Sequence, residues 1–208
     1  MVPVAIGVTG RKRGRPPGPR VDRVVRREAV VDAAELEIAE HGCDFALSAV
    51  GERLGYARSA LYAVFDRRDD LLEAVADRHA RRLSQEIAAV LSGVDGGRER
   101  TQLVVEVVVG WVEQHRHLAT ALAPRVFNGA GDASIAMPVQ DALQQALSET
   151  RGDDGRAAAL WAHALIGAVW AAAQWGGSTT GGVDRTELVE HLTELIWGGL
   201  ATSVQASS

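Results

Sequence analysis

Apolar residues recur every three or four positions along most of this sequence, and this spacing restricts the possible folds more than any other feature. A period near 3.6 residues indicates a helix with one buried face. No segment alternates apolar and polar residues as a strand would, and Gly and Pro cluster in a few short stretches. The sequence therefore predicts an all-α protein. The pattern is longest after Arg68, where the stripe consists of Leu71, Leu72, Val75, His79, Leu83, Ile87 and Val90.

Short helices are predicted to follow one another closely before this long one. RREAVVDAAELEIAEHG predicts a helix that ends at Gly42, because glycine readily adopts the left-handed conformation of a C-cap. SAVGERLG predicts about two helical turns that end at Gly55, and RSALYAVF predicts a further short helix. Two short helices joined by a tight turn are typical of a helix-turn-helix, whose second helix enters the DNA major groove.

The run VGERLGYARSALYAVFDRRDDLLEAV resembles the DNA-binding domain of the TetR family of bacterial repressors. The shared pattern is an apolar-small-x-x-apolar-Gly turn, a Leu-Tyr-x-x-Phe recognition helix, and a basic residue shortly before a Leu in the next helix. The matching residues are Val50, Gly51, Leu54, Gly55, Leu61, Tyr62, Phe65, Arg68 and Leu71.

This resemblance implies an N-terminal three-helix head with the helix-turn-helix, followed by a larger helical domain that binds a ligand and dimerises. We expect a disordered basic arm at 1–22, the DNA-binding head at 23–70, and the ligand-binding and dimerisation domain at 71–208. The chain departs from the family pattern at 35–37, where two glutamates place charge in a helix that usually keeps apolar residues there. At the start of the second helix, Ala46 or Leu47 occupies the position of the Thr that commonly caps this helix and contacts phosphate, and Ser48 could substitute for it.

The resemblance also implies roles for residues on and beside the recognition helix. Tyr62 would donate its hydroxyl to a phosphate, and Arg68 would pair with another phosphate at the start of the long helix. Arg58, Ser59 and Ala60 would face base edges, and Arg58 is the expected guanine reader because its fork matches O6 and N7. The alternatives are a half-buried core aromatic for Tyr62, and a solvated charge or a phosphate contact for Arg58.

A basic segment, RKRGRPPGPR, lies near the N-terminus, although the whole chain carries 22 Lys+Arg against 27 Asp+Glu. Within it RGRP resembles the core of an AT-hook, in which Arg13 and Arg15 would lie along a narrow A·T minor groove. The alternative is a solvated basic tail that only raises nonspecific affinity for DNA.

The C-terminal two thirds are expected to bind a small molecule and a second copy of the chain. An apolar or aromatic ligand would contact large side chains of this region. The candidates are Trp111, His115, Phe127, Met137, Trp161 and Trp170. The last two helices are rich in small apolar residues and, as in the family, would form a four-helix dimer interface. The candidates there are Leu160, Ala164, Ala168, Leu192, Leu195, Ile196 and Gly199.

Other classes of protein lack their residue patterns in this sequence. It has no His-Glu-x-x-His, Glu-x-x-His, Walker loop or nucleophile elbow, so we expect no enzyme, no metal site and no cofactor. No stretch of about 18 apolar residues predicts a membrane span. The single cysteine, Cys43, allows no intrachain disulfide and favours a cytoplasmic location.

The sequence thus predicts a cytoplasmic, homodimeric transcriptional regulator. The simplest form is a repressor that a small molecule releases from a palindromic double-stranded DNA operator. One alternative is an architectural protein that binds A·T tracts, and another is a helical small-molecule-binding protein or enzyme.

Overall fold

The protein is described from a computed structural model. The structure describes residues 20–120, 136–151, 156–178 and 182–205. Within these ranges helices are joined by short turns and loops, and there is no strand. The predicted all-α fold is confirmed. The helices are α1 (Arg20–His41), α2 (Leu47–Leu54), α3 (Arg58–Tyr62), α4 (Arg68–Gly93), α5 (Gly97–Gln114), α6 (Met137–Arg151), α7 (Arg156–Gly176) and α8 (Arg185–Gln205).

Helices α1 and α2 end directly before the glycines that the sequence predicted. Gly42 and Gly55 have φ angles of 77° and 64°, so both are in the left-handed region that favours glycine. The start of α1 differs from the expectation, because the helix begins at Arg20 and includes the last three residues of the predicted arm. The rest of that arm lies outside the described residues.

The cap of α2 also differs from the expectation. Ala46 is the N-cap residue, and no side chain makes a capping hydrogen bond there. Ser48 is the second residue of the helix and is exposed. The prediction that Ser48 caps α2 is therefore wrong.

Apolar side chains of the head helices and of α4 form one continuous core with the rest of the chain. The predicted stripe of α4 is buried from Leu71 to Ile87, and only Val90 at its far end is half-buried. Among the described side chains, the largest that are fully buried in the head are Val30 and Ile38 of α1, Val50 of α2 and Leu61 of α3.

Ion pairs hold α1 against its neighbours. The guanidinium of Arg78 on α4 donates to three carboxylates of α1, those of Glu28, Asp32 and Glu35, and the Arg78 side chain is only 11% exposed. These acids are spaced by four and three residues, so they lie on one face of α1. The charged residues that depart from the family pattern therefore bind neighbouring helices.

Glu37, the second charged residue that departs from the family pattern, binds α2 in the same way. Arg53 donates to Glu37 Oε1 at 2.7 Å and also to the carboxylate of Glu40. The side chain of Glu37 is only 8% exposed, and a carboxylate at that depth needs such a partner.

The C-terminal helices pack as a bundle around α5 and α7. Helix α5 contacts α4, α7 and α8, and α7 also packs on α6. The buried side chains in this part include Val105, Val108, Ile166, Trp170 and Val189. None of the helices that the structure describes is long and apolar enough to span a membrane.

We predict that enlarging Gly51 disrupts the packing of α3 on α2. A Cβ atom at this position would lie 3.1 Å from Leu61 Cδ2, so Gly51→Val is expected to lower the free energy of unfolding by about 1–3 kcal/mol. Chemical denaturation monitored by circular dichroism measures this change. Gly93→Val at the end of α4, where a Cβ atom meets nothing within 4 Å, is the control. Equal losses of stability in the two variants would contradict the prediction.

Candidate DNA-binding surface and ligand site

The short helix α3 has one face that is buried and one that is exposed. Leu61 is 1% exposed and faces the core, whereas Tyr62 is 37% exposed. Arg58 and Ser59 are exposed and Ala60 is half-buried. The guanidinium of Arg58 lies over the Tyr62 ring, 5.4 Å from its centroid. The side chains expected to face DNA therefore lie on the outer side of the predicted recognition helix, where a DNA groove can reach them.

The predicted phosphate contact Arg68 already has partners in the protein. It begins α4, and its Nη1 donates to Asp44 Oδ1 at 3.0 Å, while Nη2 lies 3.9 Å from Asp69. Exposed pairs of this kind contribute little to stability, so a phosphate could displace these carboxylates. Arg13 and Arg15 lie outside the described residues.

Three of the predicted ligand residues meet in an aromatic cluster, which we define as His79, Trp111, His115 and Trp170. Trp111 stacks on His115 at 5.0 Å between ring centroids and lies 5.2 Å from Trp170. The ring of His79 is 4.9 Å from His115 and 5.7 Å from Trp111. His79 was not a predicted site residue, because it falls in the apolar stripe of α4. A histidine within such a stripe was the signal that could have identified it.

The other predicted ligand residues lie apart from this cluster. Trp161 is half-buried on α7 and Met137 is 39% exposed at the start of α6. No ring contact joins Trp161 to the aromatic cluster within the part of the chain that the structure describes. Phe127 lies outside that part.

Among the described residues, one cavity is lined by both histidines of the aromatic cluster, and a second lies further along α5. A cleft of about 440 Å³ lies between α1 and the end of α5, and its lining includes Glu35, His79 and His115. A smaller cavity of about 170 Å³ lies between α5 and α7, where Gln174 lines the wall. Gln174 Nε2 is buried and has no hydrogen-bond partner among the described residues. The larger cleft combines apolar side chains such as Leu36, Ile38 and Leu118 with several polar ones, so it can hold a small molecule that has both kinds of surface.

Glu35 connects the aromatic cluster to the ion pairs of α1. Its Oε1 atom lies 3.1 Å from Arg78 Nη1 and 3.4 Å from His79 Nε2. Burial raises the pKa of this carboxyl, but His79 and Arg78 outweigh burial and bring the pKa below its ordinary value of 4.5. Contacts between side chains therefore run without interruption from Trp170 to α1.

His115 is held in one orientation at the edge of the cleft. Its Nδ1 atom donates to the carbonyl oxygen of Trp111 at 3.0 Å, which leaves Nε2 as an acceptor. Burial lowers the pKa of His115, so the ring is neutral near pH 7. A hydroxyl group of a ligand could donate to this nitrogen.

The predicted dimer residues divide into an exposed and a buried set. Leu160 is 68% exposed and Leu195 is 70% exposed. Ala164, Ala168 and Gly199 are exposed as well. The remaining two, Leu192 and Ile196, are only 7% and 8% exposed within a single chain. They belong to the core of the monomer and are not available to a second copy.

One group with the spacing of metal ligands occurs among the described residues. It consists of Glu37, Glu40 and His41 at the end of α1. Arg53 already binds both carboxylates, and its positive charge weakens the attraction of this group for a cation.

Comparison with known proteins identifies the class of this fold. Residues 30–75 match the model of the bacterial regulatory proteins of the tetR family, and residues 132–208 match that of the tetracyclin repressor-like C-terminal domain. An uncharacterized HTH-type transcriptional regulator of Mycobacterium tuberculosis is 27% identical, over 98% of this chain and 87% of that protein. The fold and these matches define a helix-turn-helix transcriptional regulator.

Further relatives agree with this class. The HTH-type transcriptional activator FasR of Mycolicibacterium smegmatis is 23% identical, over 92% of each chain. The crystal structure of a TetR-like transcriptional regulator from Rhodococcus is 25% identical, with a TM-score of 0.57 over 89% of this chain and 99% of that chain. The chain belongs to the TetR family of bacterial transcriptional regulators.

We predict that Glu35→Gln lowers the free energy of unfolding by about 1 kcal/mol near pH 7, since a partly buried ion pair is lost. Because the folded pKa of Glu35 is below its ordinary value of 4.5, its contribution is complete above that pH and is lost as the pH falls through the folded pKa. Urea denaturation over a pH series measures both effects.

Glu28→Gln is the matched control for this experiment. Glu28 also binds Arg78 but is 59% exposed, whereas Glu35 also contacts His79. A smaller effect is therefore expected for Glu28→Gln. Equal effects in the two variants would show that the contact with His79 adds nothing.

Proposed function

We propose that this protein is a homodimeric repressor that binds a palindromic DNA operator and is released by a small aromatic molecule. The supporting observation is the series of contacts from Trp170 through Trp111 and His79 to Glu35 on α1. A ligand beside these rings would act on the same side chains that hold the head to α4. The head would comprise 23–70 and the ligand-binding and dimerisation domain 71–208, and the protein would act in the cytoplasm, where its DNA is.

On the DNA side, α3 would enter the major groove with Arg58, Ser59 and Ala60 towards the bases. Tyr62 and Arg68 would bind phosphates, with Arg68 exchanging Asp44 for a phosphate oxygen. Ser48 is exposed at the start of α2 and is a further candidate for a phosphate contact. The arm would add Arg13 and Arg15 in the minor groove or as plain charge.

The dimer would form through the exposed small and apolar residues of α7 and α8. Leu160, Ala164 and Ala168 recur every four residues, so they share one face of α7. Leu195 and Gly199 are spaced in the same way on α8, and both are exposed. Covering these side chains with a second copy removes apolar surface from water, which favours association.

The ligand would bind at the aromatic cluster and in the adjoining cleft. Trp111, His115 and Trp170 offer ring faces, and Trp161, Met137 and Phe127 are further candidates. His79, Glu35 and His115 add polar atoms, which favour an aromatic molecule that carries a hydroxyl group. RolR, whose structure was solved with resorcinol, has the same fold at 18% identity and a TM-score of 0.61. Resorcinol is therefore a reasonable first probe.

Release from DNA requires that the ligand bind one conformation more tightly than the other. A tenfold loss of operator affinity corresponds to about 1.4 kcal/mol of differential binding. Glu35 can supply this difference, because a ligand hydroxyl at His79 competes with the contact between His79 and Glu35. The conformation of α1 would then depend on whether the site is occupied.

We predict that Ala168→Arg prevents dimerisation, because it places a charge without a partner in a close-packed interface, at a cost of several kcal/mol. Sedimentation velocity at micromolar concentration should show a dimer for the wild type and a monomer for the variant. Ala89→Arg on the exposed surface of α4 is the matched control and should remain dimeric. A monomeric wild type, or an Ala168→Arg monomer with full operator affinity, would refute the dimer model.

We predict that resorcinol quenches tryptophan fluorescence and weakens operator binding by tenfold or more, in the same concentration range. The operator is obtained by selection from random duplexes, and a short symmetric footprint on it is expected. Glu35→Gln should still bind resorcinol but show a smaller loss of DNA affinity.

Each part of this proposal has its own contrary outcome. Quenching that leaves operator affinity unchanged would contradict the switch, and a decanoate titration tests whether an aliphatic acid acts instead of an aromatic molecule. Scattered A·T tracts in the footprint would favour an architectural DNA-binding protein. Higher operator affinity with resorcinol bound would identify the molecule as a co-repressor.

A further inference from the structure

Carboxylates already neutralise most of the arginines between Glu28 and Leu72. Arg53, Arg67 and Arg68 each contact an acidic side chain of the head at 3.0 Å or less. From Glu28 to Leu72 the chain has four arginines against ten acidic residues, so this segment alone would repel DNA. The positive charge for DNA binding must therefore come from outside this segment.

The first turns of α1 provide such charge. Arg23, Arg26 and Arg27 are spaced i, i+3 and i+4, which places them on one face of the helix, and all three are exposed. None of them contacts a carboxylate among the residues that the structure describes. We call these three residues the α1 arginine face.

Two contacts fix the position of this face relative to the recognition helix. The Arg27 guanidinium lies 4.4 Å from the centroid of the Phe65 ring, three residues after the end of α3. Just beyond the other end of α1, Cys43 Sγ donates to the carbonyl oxygen of His117 at 3.4 Å. Helix α1 therefore runs from the end of α3 towards α5. Arg23 and Arg26 precede Arg27 in the helix and extend the face away from the C-terminal domain.

We infer that the α1 arginine face binds the DNA phosphate backbone beside the groove that α3 enters. Arginine donors match phosphate oxygens, and such contacts set affinity and orientation without reading sequence. The basic segment at 11–20 directly precedes this face, so positive charge would continue from the arm to the recognition helix. The inference rests on the proposed function, since it needs a complex with DNA. It adds α1 to the phosphate contacts that the family resemblance assigns to Tyr62 and Arg68.

The test is the salt dependence of binding to duplexes that the wild type selects from a random pool. Each lost phosphate contact lowers the log–log slope by about 0.9, so one substitution in both heads of a dimer should lower it by about 1.8. This loss is expected for Arg23→Ala and for Arg26→Ala, while Arg26→Lys should keep the slope because it keeps the charge. Ethylation interference should show that each alanine variant loses its dependence on particular phosphates.

Arg81→Ala is the matched control. Arg81 is also exposed and has no carboxylate contact in the described part of the chain. It lies 13 residues after Arg68 on α4, which is about 20 Å along the helix. Because this distance places it away from the DNA, the salt slope of Arg81→Ala should equal that of the wild type. Equal losses for Arg81→Ala and the α1 variants would overturn the inference, because net charge would then explain them.

The remaining outcomes separate the inference from the proposed function. If the wild type selects a symmetric operator and both α1 alanine variants keep its salt slope and phosphate contacts, the inference alone fails. If the wild type selects no duplex at all, the proposed function fails and the inference fails with it.

Discussion

The arrangement of the head depends on the guanidinium group of Arg78, which is largely shielded from solvent. Arg78 is held among three carboxylates of α1, and its side chain is only 11% exposed. Removing it would leave several acids close together and partly shielded from water, which is costly. The same bonds attach α1 to the eleventh residue of α4, so we expect these two helices to move together. A fragment cut at residue 70, where the sequence places the end of the head, would lack this attachment.

Local patterns in the sequence were sufficient to predict α1 to α4, their order and the last two helices. The period of apolar residues identified α4, and the glycines after α1 and α2 identified where those helices end, because both needed a left-handed φ. The start of α1 was missed, since prolines in the preceding segment suggested that the helix begins later. Ser48 was misassigned because a capping role depends on the position of one backbone residue, which helical periodicity does not specify.

The candidate site was less predictable, because it depends on contacts between residues far apart in the sequence. The tryptophans and His115 were identifiable as large side chains in a helical domain, but nothing local showed that Trp111 and Trp170 would touch. His79 was counted as part of an apolar stripe, and Glu35 was noticed only as an unusual charge in α1. The structure explains both residues together, since each gives the other a polar contact at 3.4 Å. Leu192 and Ile196 were assigned to the dimer because a stripe on a helix does not show which neighbour covers it.

The two buried indole rings of the aromatic cluster also affect the optical spectrum of the protein. Trp111 and Trp170 are 5.2 Å apart with their planes inclined by 31°, which is close enough for their electronic transitions to couple. Coupled transitions of this kind give a paired positive and negative signal in circular dichroism, whose sign and size depend on the relative orientation of the rings. The circular dichroism signal therefore reports the angle between the two rings. A rotation of one ring would change this signal even if the helix content stayed the same.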